Sequence, residues 1–526
     1  MRFRFILVVA GLFLLAPPIG AGAGPDGERG NILRGLASQA GRVLGAASAC
    51  PSIVQPRVKA LADKIAEVIK NSAPGQDESN TFVELLNQSI ANGARSIAAK
   101  QNNCTAAERQ LADLESASAP IPQSSPLPIP PSSSLVMSAA QAAGAEANAL
   151  PGLVRGVTSS EILFGLAAPF TGPAKELGQQ MRLGIETAFH SANDDGGVNG
   201  RMLRLVSADD GYEPARTAEA VKQLYEKNQV FGFIGNVGTP TAMVSAPFAL
   251  EHRMLFFGAF TGAGFLRRNP PDRYIFNYRA SYAEETDAVV QYLVNRRRLA
   301  PDQIAVFAQQ DSFGDAGFAG VAKAMRALRG GDGSDTLRIG YPRNTADVDA
   351  AVAQLKANKK PIKAIVMVAT YRAAARFIEK TRDTYPGLIY SNVSFVGSTS
   401  LRDELMLLGP KYATGVIVTQ AVPPLDGYSA LVLQYKAALA QYFGSEAPDY
   451  VSLEGYIAAQ VLIEALRRAG PQLDTEKTVD ALENMSGLDI GVGVKVSFSR
   501  SEHQAVHKVW GTQLDEAGKY LSIELP

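Results

Sequence analysis

The chain has 526 residues, with 51 basic and 51 acidic side chains. That length calls for about three domains or lobes and leaves room for a sizeable interior. The balanced charge supplies no net field to draw in nucleic acid, and the one dense basic run, Arg296–Arg298, reads as a solvated face at a helix end.

The N-terminus opens MRFR, continues in the apolar run Phe5–Ala16, and reaches Ala21-Gly22-Ala23 before Gly24. This is the layout of a cleavable secretory signal over residues 1–23, so the expected location is the periplasm. The run is too short to span a bilayer. No other segment reaches the roughly 20 apolar residues a spanning helix needs, so no membrane span is expected in the mature chain.

Residues 24–117 form a helical unit, with Val58, Leu61, Ile65, Val68 and Ile69 on one face and Phe82, Leu85, Leu86, Ile90 and Ile97 on another. Thr105 and Glu108 have the spacing of a capping box. Cys50 and Cys104 are the two cysteines, both near helix ends. In an oxidising compartment such a pair reads as one disulfide stapling a bundle too small for a large core. The alternative for Cys50, lipid attachment, is disfavoured by the distance to the signal upstream. The partner of this unit is not legible. Residues 118–159, beginning in PIPQSSPLPIPPSSS after Ser118, read as a linker whose Pro-rich half is extended.

From Glu161 onward, apolar runs (ILFGLA, MLRLVS, VFGFIG, MLFFGAF, QIAVFAQQ, TLRIGY, AIVMVAT, VSFVG, GVIVTQ) alternate with amphipathic helices such as Ala215–Asn228 and Ala316–Arg329. Strands covered on both faces and separated by helices predict an α/β fold with doubly wound parallel sheets, enough for two lobes. Ligands bind beyond the carboxyl ends of such strands. The turn in APFTGPAKELG, with its Thr-Gly-Pro before a helix start, is one such end. No Gly-x-Ser-x-Gly elbow, Walker loop or metal-ligand spacing is present, so neither enzyme nor cofactor is expected. SADDG at Ser207–Gly211 reads as a solvated acidic turn, and His503 and His507 as surface histidines rather than a metal site.

The segments HSANDDGGVNGRMLRLVSADDGYEP, IGNVGTPTAMVSAPFALEHRMLFFGAFTGAG and QQDSFGDAGFAGVAKAM carry a likeness in order and spacing. With APFTGPAKELG, the region from Glu161 to Leu525 resembles the type I periplasmic solute-binding proteins, in the branched-chain amino acid (Leu/Ile/Val) subfamily serving ABC importers. The resemblance implies two Rossmann-like lobes that enclose a small solute. Three chain crossings are expected near Ser281, Gln420 and Ile490. Lobe one is then 160–280 plus 421–489, and lobe two is 281–420 plus 490–526.

The resemblance also implies contacts. Gly238, Thr239 and Thr241 match the place where a hydroxyl and backbone N–H groups hold a ligand carboxylate, and Phe260, Thr261 and Gly262 match the second half of that cradle. Thr171 and Gly172 are expected on the cleft floor, while Leu177 stands where a relative has an aromatic ring. From lobe two, Phe313 and Tyr371 match rings that close over the ligand. Thr399 stands where amino-acid binders place a carboxylate against the ligand ammonium. A buried ammonium without a counter-ion is costly, so an organic acid or amide is expected ahead of a plain amino acid, unless Glu176 or Asp311 supplies the charge. The implied partners are that small molecule and an ABC permease. The alternative is a periplasmic sensor, or a regulator of an envelope protein such as a cell-wall synthase activator, which the extra helical unit motivates.

Overall fold

In this computed structural model the described residues are 37–98 and 154–526, less a few positions within those spans, together with 104, 107, 108, 111 and 114. The expected signal, the expected linker as far as residue 153 and Thr105 lie outside them; 154–159, expected in the linker, instead pack beside the first strand of the second unit, with Leu163 N–H donating to Gly156 O at 2.8 Å. The chain divides into a unit within 1–143 and a unit over 144–526.

In the first unit, helices occupy 40–48, Gln55–Ser72 and Gln76–Ala98. The expected apolar faces turn inward: Val58, Leu61, Ile65 and Ile69 are buried with Phe82 and Leu86, joined by Leu44, Leu111 and Leu114. Cys50 and Cys104 are disulfide-bonded, with Cα atoms 5.5 Å apart, across 54 positions of sequence. So small a core gains from a crosslink that restricts the unfolded chain. Closing a loop of this length is worth about 4 kcal/mol. Reduction, or replacing both cysteines by Ala, is therefore expected to lower the unfolding free energy of the helical unit by that amount, read as a lower denaturant midpoint. The transition of residues 154–526 should stay in place when the two are followed by separate probes.

The second unit contains two sheets. The first is parallel, in the order β2-β1-β3-β4-β5, from β1 (Glu161–Ala168), β2 (Met202–Asp209), β3 (Gly232–Ile234), β4 (Leu255–Phe257) and β5 (Ile275–Phe276). Its two faces are both covered: Phe164, Leu166 and Ala168 enter one core, and Ala167, Phe233 and Phe256 enter another, as period-two alternation requires. The second sheet runs β12-β11-β10-β9-β8-β6-β7. Its parallel part is β6 (Ile304–Gln309), β7 (Arg338–Tyr341), β8 (Ala364–Val368), β9 (Ile389–Asn392) and β10 (Ile417–Gln420). A terminal hairpin, β11 (Trp510–Leu514) and β12 (Tyr520–Ile523), adds antiparallel strands beside β10. The doubly wound expectation holds.

Three details differ from the sequence reading. VSFVG is not a strand: β9 ends at Asn392, and Ser394–Val396 form a single 3-10 turn whose apolar side chains are buried elsewhere than in a sheet. The chain does not leave the first sheet at Ile490. Asn277 N–H donates to His503 O at 2.8 Å, Ala505 N–H to Asn277 O at 2.8 Å, and Val506 N–H to Tyr278 O at 3.1 Å, which lays this segment beside the end of β5. The passage to the second sheet comes after Val506 and before Trp510. His503 accordingly is not on the surface but buried, its ring stacked on Phe276 at 3.8 Å.

Candidate functional site

The loops beyond the carboxyl ends of β3 and β4 are brought together, as parallel sheets of this kind require. Val237 and Phe260 form a bridge between them. The expected amide cradle is largely self-satisfied: Gly238 N–H donates to Phe260 O at 3.2 Å, Phe260 N–H to Asn236 O at 2.9 Å, and Thr261 N–H to Ala259 O at 2.8 Å. In the helix Thr239–Glu251, Pro240 has no N–H and Ala242 already donates to Gly238 O, so the first-turn amides remaining are those of Thr239 and Thr241. What converges instead is hydroxyls. Thr239 Oγ1 and Thr261 Oγ1 are 2.7 Å apart, and the Tyr282 hydroxyl lies beside them. Thr241 turns its hydroxyl back onto Val237 O and Gly238 O. Gly262 is a point of close approach: a Cβ there would lie 2.6 Å from Tyr282 N, whose N–H donates to Gly262 O.

Lobe two closes over these loops with rings. Phe395, carried by the 3-10 turn, stacks on Phe260 at 5.1 Å and 29°, and lies 4.6 Å from Phe313 and 6.1 Å from Tyr212. Phe313 also meets Tyr282 at 5.3 Å. Thr239, Thr261, Phe260, Phe313 and Phe395 are each at most 1% exposed. The space between the lobes at the Thr239–Thr261 loops is therefore filled by the protein's own rings.

A second part of the interlobe region is open. A cleft of about 310 Å³ is lined from one side by Glu176, Gln180 and Asp449 and from the other by Tyr371, Thr399 and Glu404. Tyr371 donates its hydroxyl to Pro173 O across the lobes at 2.5 Å, and burial pushes its pKa up to about 12. Next to Thr399 a carboxylate comes from a different element, Asp449. Asp449, 4% exposed, caps the helix Tyr450–Ala469 through Val451 N–H and Ser452 N–H, with Thr399 beside it. Burial holds its pKa above the ordinary value. Leu177 reaches the turn after Phe395, where Gly397 has φ 77° and a Cβ would meet Leu177 Cδ2 at 2.6 Å.

Thr171 is not on the floor of the cleft. It is exposed, and its hydroxyl donates to Asp209 Oδ2 at 2.6 Å within the turn that Asp209 organises. SADDG is not a solvated turn either: Asp210 is 0% exposed, accepts from Tyr212 N–H and the Thr217 hydroxyl, and is pushed up to about 7 by burial.

Arg279, Tyr282, Tyr212, Phe395 and Asp449 were not picked out from the sequence. Arg279, 1% exposed, lies two residues before the first crossing at Ser281. It meets Glu285 of lobe two at 3.1 Å and Glu454 of lobe one at 3.5 Å, donates to the Ser394 hydroxyl, and stands 4.8 Å over the Phe260 ring. Among the described residues its Nε has no hydrogen-bond partner. Glu285 also accepts from Ser394 N–H at 2.7 Å and from the Thr419 hydroxyl at 2.5 Å. At the rim, Arg343 of lobe two pairs with Glu213 of lobe one at 2.8 Å, and Asn344 donates to Gly211 O at 3.0 Å.

Burial raises Asp210 and Glu454 alike to about 7. Between roughly pH 4 and 7 the unfolded chain has released these protons while the folded protein keeps them, so rising pH favours unfolding across that window. Asp210→Asn is expected to remove its share of the decline, at most about 4 kcal/mol, measured as unfolding free energy at pH 4 and pH 7. Arg279→Ala, which leaves two buried carboxylates facing each other, is expected to cost about 3–5 kcal/mol near neutral pH.

Residues 161–519 match the family model described as periplasmic binding protein. An amino acid binding protein of Pseudomonas aeruginosa is 25% identical over 334 residues, covering 62% of this chain and 83% of the relative. The Leu/Ile/Val-binding protein BraC3 of Rhizobium johnstonii is 23% identical over 373 residues, covering 69% and 94%. Among solved structures, a possible leucine/isoleucine/valine-binding protein from Rhodopirellula baltica superposes with a TM-score of 0.66 at 37% identity, over 70% of this chain and 97% of that one. With two sheets whose strand ends face one another, the chain belongs to the periplasmic binding protein family, with the type I fold, in the group of relatives named as Leu/Ile/Val-binding proteins.

Proposed function

We propose that this protein is the solute-binding component of an ABC-type importer, closing its lobes in the periplasm around a small ligand that carries a carboxylate or amide. The observation that carries the reading is the convergence of the Thr239, Thr261 and Tyr282 hydroxyls with the under-bonded Arg279, all buried where the strand ends of both sheets meet. Buried polar groups short of partners mark a place built for another molecule. Gly238 and Gly262 let the loops approach, Phe260 and Phe313 wall the ligand, Tyr371 and Thr399 line its way in, and Leu177 packs behind them on the Gly397 turn. With Asp449 and Glu176 in the cleft, an ammonium would meet carboxylates there, so α-amino acids stay within the ligand class. Binding to the closed form shifts the hinge equilibrium by its differential affinity, and that form is what a permease would recognise.

The ring packing favours one second reading, a periplasmic sensor or envelope regulator whose lobes close on themselves. A thermal-shift screen of the mature protein against small acids, amino acids, amides and sugars separates solute binding, which an importer and a ligand sensor share, from a regulator that takes no ligand. Import predicts a rise in melting temperature with one class, worth about 2.7 kcal/mol at a hundredfold excess over Kd, and Thr261→Val is expected to weaken that ligand about tenfold or more. No shift with any class would sink the importer reading.

A further inference from the structure

Phe395 belongs to lobe two, yet its ring is spent on lobe one. Its backbone is held from behind, by Glu285 accepting from Ser394 N–H and by the left-handed Gly397 that follows. The turn is therefore fixed while the ring projects across the gap onto Phe260. Phe260 is followed directly by Thr261, so the slot holding this ring adjoins the paired hydroxyls. Phe313 borders the same slot, and Tyr282 touches both Phe313 and the hydroxyl pair. Arg279 stands over Phe260, its Nε unpartnered among the described residues. A flat apolar slot flanked by hydroxyls and a guanidinium has the chemistry of one ligand type, a ring bearing a carboxylate.

Resting on the solute-binding reading, we propose that the ligand is an aromatic carboxylic acid whose ring takes the place on Phe260 that the Phe395 side chain fills in the closed protein. Phe395 is thus an intramolecular stand-in, and it determines ring size. When the lobes part, the lobe-two ring leaves Phe260, and the ligand ring enters against it. The carboxylate meets Thr239, Thr261 and Tyr282.

The test is calorimetric titration of the full mature chain with benzoate, with cyclohexanecarboxylate and with L-leucine, in wild type, Phe395→Ala, Phe395→Leu and Phe260→Ala. Stacking between aromatic rings adds about 0.5–1.5 kcal/mol beyond buried area, so benzoate is expected to bind up to about tenfold tighter than its saturated analogue. Truncating Phe395 leaves an apolar cavity that a benzene-sized ring can refill, so Phe395→Ala is expected to tighten benzoate while Phe260→Ala weakens it. The Leu variant keeps most of the packing and should fall between wild type and Ala, provided near-ultraviolet dichroism shows the native fold. Equal or tighter binding of cyclohexanecarboxylate or L-leucine, or looser benzoate binding in Phe395→Ala, overturns the ring assignment and leaves solute binding standing. Silence of all three probes, with silence across the wider screen, overturns both.

Discussion

A guanidinium taken wholly out of water must be surrounded by compensating groups, and the rest of this protein is arranged around that requirement at Arg279. The groups that answer it come from both lobes: Glu454 from a helix of the first, Glu285 and Ser394 from the second. Their own orientation is fixed in turn, with Glu285 held by Ser394 and Thr419 on the loop and strand beyond Asn392. Because Arg279 lies next to the first crossing, the two sheets share a charged pivot rather than a flexible strand alone. Separating the lobes elsewhere can leave this pivot intact. Breaking it strands carboxylates in a dry interior.

The same pivot fixes where aromatic surface meets. Ser394 is the residue before Phe395, so the carboxylate that steadies Arg279 also sets the turn that aims Phe395 at Phe260. Charge and packing at the interlobe surface are thus one construction. The polar hydroxyls of Thr239 and Thr261 sit at its edge, while the open cleft near Asp449 and Thr399 lies further along the same seam.

Much of the architecture was legible because it is local. Apolar runs of strand length between amphipathic helices predicted the parallel sheets, and the periodic faces at Val58–Ile69 and Phe82–Leu86 predicted the helical unit with its disulfide. The loops after β3 and β4 were also placed correctly, since strand ends are punctuated in sequence by glycines. What failed was what depends on distant partners. VSFVG looks like a strand because burial alone makes a run apolar, whichever surface buries it. Asp449 stands 50 positions from Thr399 and no pattern links the two. Arg279 in NYRASY carries no periodic signal; a lone charge flanked by tyrosines next to a predicted crossing was the available clue. The amides of Gly238 and Thr261 were expected to point outward, and only the pairing between the two loops shows that they are already used.

The two sets of interlobe contacts differ in their access to water. Arg343 and Glu213 pair at the rim, where roughly a quarter and two-fifths of their side-chain surfaces stay wet, whereas the Arg279 pivot and the rings around Phe395 are dry. Dissolved ions weaken the first set and scarcely reach the second. Raising the ionic strength therefore weakens the Arg343–Glu213 contact at the outer edge of the seam while leaving the Arg279 contacts inside it nearly unchanged.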